Sequence, residues 1–128
     1  IFNSKMNSFE DLEVYKECRS LRNSIWEFTK SLHKEETFRL KDQLIRASRS
    51  VTANIAEGFG RFHYQENIQF CRQARGSIYE TLDHLICAFD CQYISESEMN
   101  NYREKIILCL KMLNGYISYL KKAKQSTT

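Results

Sequence analysis

Side chains that could carry acid–base or nucleophilic catalysis are few and scattered in this sequence. The three histidines, His33, His63 and His84, lie far apart, and none has a nucleophile or carboxylate at a catalytic spacing. Asp83 and His84 are neighbours, and adjacent residues on a helix point in different directions. The chain also lacks a glycine-rich loop of the kind that holds phosphate groups. We therefore predict that the protein is not an enzyme and has no catalytic residues and no cofactor.

The cysteines offer a second kind of chemistry, as metal ligands. Their number is odd, and their spacings match neither a zinc finger nor a zinc ribbon. Cys87 and Cys91 are one helical turn apart and could share a metal ion, but two further ligands are missing. Burial of both as small apolar side chains at an interface is the favoured interpretation. We expect no metal site and free thiols in a reducing cytoplasm at Cys18, Cys71, Cys87, Cys91 and Cys109.

Basic residues suggest a third kind of chemistry, the binding of phosphate groups. The net charge of +3 permits a polyanionic partner without requiring one. Between residues 37 and 75 basic side chains outnumber acidic ones, and the planar arginine guanidinium suits phosphate. The candidate nucleic-acid-binding residues are Lys41, Arg49, Arg61, Arg72 and Arg75. The alternative is that some arginines pair with carboxylates in a structural polar cluster, which we assign to Arg46, Asn54, Glu57 and Glu80.

The segment QLIRASRSVTANIAEGFGR, residues 43–61, is the helix around which the rest is organised. Its apolar and small residues recur at helical spacing on one face, and its polar residues share the other. We predict that this helix ends at Gly58, where glycine adopts a left-handed cap. Glu57 would then lie in the last turn, where the helix dipole disfavours a carboxylate, so we expect it to pair with Arg61, Arg46 or another arginine.

Three further amphipathic segments complete the fold. The predicted helices cover residues 9–33, 38–58, 64–91 and 95–122, the last opened by a capping box between Ser95 and Glu98. Short connections between four helices, with no proline in the chain, predict an all-α, antiparallel up-down-up-down four-helix bundle. Residues 1–8 are interpreted as a disordered extension or expression scar, 9–123 as the bundle and 124–128 as a frayed tail. No apolar run approaches the roughly 18 residues of a membrane span, so no membrane partner is expected.

The packing of a single bundle does not explain several residues that lie outside the predicted core stripes. Tyr15, Arg22 and Trp26 share a flank of the first helix away from its core stripe. A glycine inside a helix costs about 1 kcal/mol, so Gly76 suggests that another segment approaches closely there. A second apolar strip on the fourth helix indicates self-association. The predicted oligomer interface contains Tyr15, Trp26, Gly76, Leu108, Met112 and Tyr119.

Four stretches of the chain resemble one known group of proteins. They are FEDLEVY at 9–15, QLIRA at 43–47, SVTANIAEG at 50–58 and RGSIYE at 75–80, and the NIAEG block is the specific part. The chain resembles the bacterial four-helix bundle proteins related to those encoded in intervening sequences of large-subunit ribosomal RNA genes. The resemblance implies a homo-oligomer, typically a ring of five bundles, and no catalytic residues. It also implies kinship with the accessory protein of diversity-generating retroelements, which binds nucleic acid and a reverse transcriptase.

Together these observations predict a homo-oligomeric, non-enzymatic binding or scaffold protein. RNA or DNA is the expected ligand, and the alternative is a protein–protein adaptor whose partner is an unidentified protein and which has no role with nucleic acid. The two alternatives differ in whether binding weakens steeply with added salt.

Overall fold

Four long helices make up the protein, and their apolar stripes explain why they form. The computed structural model describes residues 8–127 and contains no β-strand within that range. Leu21 and Ile25 in the first helix, and Leu44 and Ile55 in the second, are fully buried at helical spacing. The helices are α1 (Glu13–Thr29), α2 (Leu40–Gly60), α3 (Tyr64–Asp90) and α4 (Glu96–Thr127), with single 3₁₀ turns at Phe9–Asp11 and Lys34–Glu36.

The helices enclose one hydrophobic core. α1 packs on α2, α2 on α3, α3 on α4, and α4 returns to α1. Polar contacts tie neighbouring helices at the edges of this core. Lys105 Nζ in α4 donates to Ser24 Oγ in α1 (2.7 Å), and the hydroxyls of Ser50 and Ser77 join α2 to α3 (2.8 Å). The predicted all-α fold is confirmed, and almost all predicted core stripe positions are buried or half-buried.

Gly58 has a different role from the predicted one. It lies inside α2, which continues to Gly60, and no described glycine has a positive φ. A Cβ on Gly58 would lie 2.7 Å from Asn67 Oδ1 and 2.9 Å from Phe70 Cβ. The prediction of a left-handed cap was therefore wrong, and glycine is needed here because α3 approaches the backbone of α2.

The helix boundaries differ from the sequence expectation at several places. Leu12 has extended backbone angles and separates the first 3₁₀ turn from α1, which ends at Thr29 instead of residue 33. The Ser95–Glu98 capping box is confirmed, since each backbone N–H donates to the other side chain at 3.1 Å. Helix α4 runs to Thr127, so the described part of the predicted frayed tail is helical. Of the predicted extension 1–8, residues 1–7 lie outside the described range.

The buried polar groups near Gly58 connect three helices. Asn67 is buried in α3, and its Nδ2 donates to Tyr116 Oη in α4 (3.1 Å), while Cys71 Sγ donates to Asn67 Oδ1 (3.5 Å). Burial raises the pKa of Tyr116 and of Cys71, each to about 12. The Asn67 amide therefore sits between two neutral side chains and is held directly against the backbone of α2.

Candidate nucleic-acid interface

A groove between α1 and α2 is the first candidate site. Tyr15, Arg22 and Trp26 are seven and four residues apart, so they share the flank of α1 that faces α2. Arg22 Nη1 donates to Thr52 Oγ1 of α2 (3.2 Å), which fixes the guanidinium at the wall of the groove. The cavity measures about 470 Å³. We call it the α1–α2 groove and define it by Tyr15, Arg22, Trp26, Arg49, Thr52 and Ala53, with smaller contributions from their neighbours.

The electrostatics of the α1–α2 groove favour an anion. Arg49 extends from α2 so that its guanidinium carbon lies 5.6 Å from the centroid of the Trp26 ring. Lys30 Nζ lies 5.8 Å from the same ring. No acidic side chain is among the described residues that line the groove. Lys30 is not part of the groove lining and pairs with Glu27 (3.0 Å), so the cations that the groove itself offers are Arg22 and Arg49.

The remaining walls of this groove are apolar or small. Phe9 meets Tyr15 edge-on with ring centroids 4.8 Å apart, and it also contacts the ring of Phe59 at 6.4 Å. On α2, the groove is lined by Ala53 and Ala56, whose small side chains do not fill it. The small residues that the sequence shows in this helix therefore leave an open groove between α1 and α2.

A second basic area lies where α3 meets α4. A cavity of about 310 Å³ is lined by Arg72 of α3 and by Lys121 and Lys124 of α4; it also includes Gln65, and none of its described lining side chains is a carboxylate. Lys124 donates to Gln65 Oε1. Arg72 and Lys121 are exposed, and neither forms an ion pair within the described structure. We call Arg72, Lys121 and Lys124 the α3–α4 patch.

Comparison with known proteins now identifies the family. The profile described as "23S rRNA-intervening sequence protein" matches residues 10–115. The chain belongs to this family. A solved structure from Bacteroides thetaiotaomicron VPI-5482, described as a protein with unknown function from the S23 ribosomal protein family, is 22% identical to this family member. It superposes with a TM-score of 0.75 and covers 82% of this chain and 95% of its own, which shows the fold. No curated protein matches the sequence.

The nucleic-acid-binding residues predicted for this family member do not form one surface. Arg49 lies in the α1–α2 groove, whereas Arg72 lies in the α3–α4 patch on the other side of the bundle. Arg61 pairs with Glu57 Oε1 (3.1 Å) and covers the ring of Phe70. Arg75 donates to Asn114 Oδ1 (2.8 Å), and Lys41 is half-buried at the start of α2.

Two members of the α3–α4 patch, Lys121 and Lys124, were not among the nucleic-acid-binding residues predicted from the sequence. The signal that could have identified them is their spacing of three residues, which places both lysines on one face of α4. Their proximity to Arg72 depends on how α3 and α4 pack, so the sequence alone could not show it.

The predicted structural polar cluster separates into local contacts. Arg46 Nε pairs with Asp42 Oδ2 one turn earlier (2.9 Å), and Asn54 Nδ2 donates to Ser50 Oγ (3.1 Å). Glu57 is paired with Arg61, which confirms that the carboxylate in the last turn of α2 has a cationic partner. Glu80 is exposed on α3. The described structure joins Arg46, Asn54 and Glu57 to near neighbours in sequence instead of to one another.

The residues predicted for an oligomer interface occupy three helices. Tyr15 and Trp26 line the α1–α2 groove, whereas Leu108 and Tyr119 on α4 are 42% and 46% exposed. Met112 is half-buried against the core. A Cβ on Gly76 would meet nothing within 4 Å, so no other described segment of this chain approaches Gly76 closely, and its place at an interface between copies stays a prediction. The sequence reasoning missed Ile107, which is 63% exposed on α4.

The cysteines and other potential metal ligands are dispersed among the described residues. Cys18, Cys71 and Cys109 are buried, and Cys87 and Cys91 are exposed. A hydrogen bond with Cys109, together with burial, raises the pKa of the Cys18 thiol. No three His, Cys, Asp or Glu side chains in residues 8–127 converge as metal ligands. In the same range no helix combines the length and hydrophobicity needed to cross a lipid bilayer.

Proposed function

We propose that this family member is a non-enzymatic binding scaffold in which antiparallel up-down-up-down bundles assemble into a homo-oligomeric ring, and that its ligand is RNA or DNA. The observation that carries the proposal is the α3–α4 patch. Arg72 and Lys121 are exposed cations without a carboxylate partner in the described structure, and they line a concave surface.

Phosphate binding is the chemistry that best fits such a patch. Each phosphate neutralised by a lysine or arginine releases condensed counterions, so affinity grows with the number of such contacts. One patch supplies only a few contacts, but a ring of copies would present the same patch repeatedly, and linked weak sites bind much more tightly than one. The names of the family and of its solved relative refer to 23S rRNA and to a ribosomal protein, which agrees with an RNA ligand.

The test is the salt dependence of nucleic-acid binding. Fluorescence anisotropy with a labelled single strand should show affinity falling steeply between about 50 and 200 mM salt. The double variant Arg72→Gln with Lys121→Gln should bind more weakly and should reduce the log–log salt slope by about 0.7 for each lost phosphate contact.

A matched control removes the same charge elsewhere. Arg46→Gln with Lys16→Gln deletes two cations that already pair with Asp42 and Glu13 (2.9 and 3.4 Å), so this variant should retain most of the wild-type slope. Equal slopes in the two double variants would refute a role for the α3–α4 patch, and no binding at low salt would refute the nucleic-acid ligand.

Self-association is supported by apolar side chains on α4. Ile107, Leu108 and Tyr119 are 63%, 42% and 46% exposed, so α4 offers apolar surface that a second copy could cover. Light scattering with and without nuclease should give a mass several times that of one chain, and the resemblance implies five. The variant Leu108→Glu should reduce this mass, and a single-chain mass for the wild type would refute the ring.

The same α4 side chains support the alternative, a protein–protein adaptor. Exposed apolar residues attract another protein as readily as a second copy. Co-purification of a defined protein partner, with no nucleic acid retained even at low salt, would favour the adaptor over the scaffold for RNA or DNA.

A further inference from the structure

The α1–α2 groove has the composition of a small-molecule site and is separate from the α3–α4 patch. Its volume of about 470 Å³ falls within the range of about 300–1,000 Å³ that is typical of ligand pockets. It combines aromatic rings from Tyr15 and Trp26 with the guanidinium groups of Arg22 and Arg49. We infer that this groove binds a nucleotide, either free or as an unpaired unit of a single strand.

The positive charge of the groove indicates that its ligand is an anion. Two arginines line the groove, and no acidic side chain does so among the described residues. Arg22 is held in place by Thr52, and Arg49 by the face of Trp26. A phosphate placed between these groups would accept hydrogen bonds from planar donor groups whose geometry suits it.

The aromatic side chains of the groove indicate that the bound anion carries a planar ring. Tyr15 and Trp26 are 11 residues apart on α1, which corresponds to about 16 Å along the helix. Arg22 lies between them on the same flank, so a phosphate near Arg22 leaves room for a planar group toward either ring. Trp26 is 43% exposed, and bases stack on such side chains regardless of base identity.

The small side chains on α2 leave space for the planar ring of the proposed nucleotide. Ala53 and Ala56 line the groove on α2 where longer side chains would fill it. The groove therefore offers stacking surface, anion-binding groups and space in one place, which is the combination that a nucleotide requires and that a simple phosphate ion does not.

The sequence provides its own reporter for this site, because Trp26 is the only tryptophan in the chain. Its emission, excited at the red edge of indole absorption, is titrated with adenosine monophosphate, with a short oligoadenylate strand and with pyrophosphate. We expect saturable quenching by the two adenine-containing probes and not by pyrophosphate. Tighter binding of the strand identifies an unpaired unit of a nucleic acid as the ligand, and equal binding identifies the free nucleotide.

Variants separate this site from the rest of the protein. Arg49→Gln should weaken the affinity for adenosine monophosphate, obtained from the quenching titration, about tenfold or more, since it removes a charged hydrogen-bond donor. Ala53→Glu, which adds a carboxylate at an exposed groove position, should have the same effect. Arg46→Gln is the matched control, because Arg46 pairs with Asp42 and does not line the groove. Circular dichroism checks that each variant is folded.

The proposed function can fail without affecting this inference. The Arg72→Gln/Lys121→Gln variant should lose salt-sensitive strand binding at the α3–α4 patch and keep the Trp26 response to adenosine monophosphate. Three results would overturn the groove assignment: no saturable quenching in the wild type, quenching in the Arg49→Gln and Ala53→Glu variants as strong as in the wild type, or a response to pyrophosphate as strong as the response to adenosine monophosphate. A blue shift that depends only on protein concentration would overturn it as well, because a second copy would then cover Trp26.

Discussion

Replacement of Gly58 by alanine should destabilise the protein, although alanine is the better helix former. The new Cβ would lie 2.7 Å from Asn67 Oδ1 and 2.9 Å from Phe70 Cβ. Phe70 Cβ is attached directly to the α3 backbone, so relief requires α2 and α3 to separate. The Asn67 amide would also be displaced from Tyr116, to which it donates at 3.1 Å.

The magnitude follows from three terms. Overpacking costs about 1–3 kcal/mol, and disturbing a buried, hydrogen-bonded amide costs about 1–3 kcal/mol. The higher helix propensity of alanine offsets about 1 kcal/mol of this destabilisation. The free energy of unfolding should therefore fall by about 3 kcal/mol. Urea unfolding followed by far-ultraviolet circular dichroism measures this change as a lower midpoint at an unchanged slope.

Gly76→Ala is the matched control. Gly76 also lies within a helix, but a Cβ there would meet nothing within 4 Å. This variant should gain about 0.5–1 kcal/mol, because alanine loses less backbone entropy on folding. A Gly58→Ala protein as stable as the wild type would refute the reasoning about close helix approach. Loss of assembly in Gly76→Ala would place this glycine at an interface between copies.

Three further predictions follow from the buried polar groups and thiols. Cys87 and Cys91 should react quickly with a chromogenic thiol reagent, and the three buried cysteines only after denaturation; a single rate for all five would contradict the described burial. The free energy of unfolding should fall as the pH rises from about 10 to about 12. The reason is that the pKa of Tyr116 is about 12 in the folded protein and about 10 in the unfolded chain, so deprotonation favours unfolding. The melting temperature of Tyr116→Phe, measured over the same pH range, should fall less. Tyr93→Phe should lower the urea midpoint, since it removes a hydrogen bond to the buried Glu36 (3.0 Å). An equal decrease in the exposed control Tyr79→Phe would contradict this explanation.

Most of the fold was predictable because helices with one apolar stripe have few ways to bury it. The stripe Leu44, Ala47, Ser48, Val51 and Ile55 is entirely buried, as its spacing predicted. The capping box at Ser95 was also predictable, since it depends only on residues three apart. The 3₁₀ turn before α1 was missed, because the extended backbone at Leu12 interrupts a pattern that remains periodic.

The candidate sites were only partly predictable. The shared flank of Tyr15, Arg22 and Trp26 follows from helical spacing, whereas the groove that these residues line became apparent only in the structure. The presence of Arg49 in the same groove depends on the register of α2 against α1, which no local pattern specifies. The separation of Arg72 from Arg49, which line different cavities, depends on helix packing in the same way.

The sequence by itself determined the four helices, their buried faces and the pairing of Glu57 with a nearby cation, because each depends on contacts within a few residues along the chain. The tertiary structure alone decided that Gly58 serves helix contact instead of a cap, that Lys121 and Lys124 lie near Arg72, and that a groove opens between α1 and α2 whose described lining contains no carboxylate. These features depend on distances between helices, and such distances are set by the packing of all side chains at once.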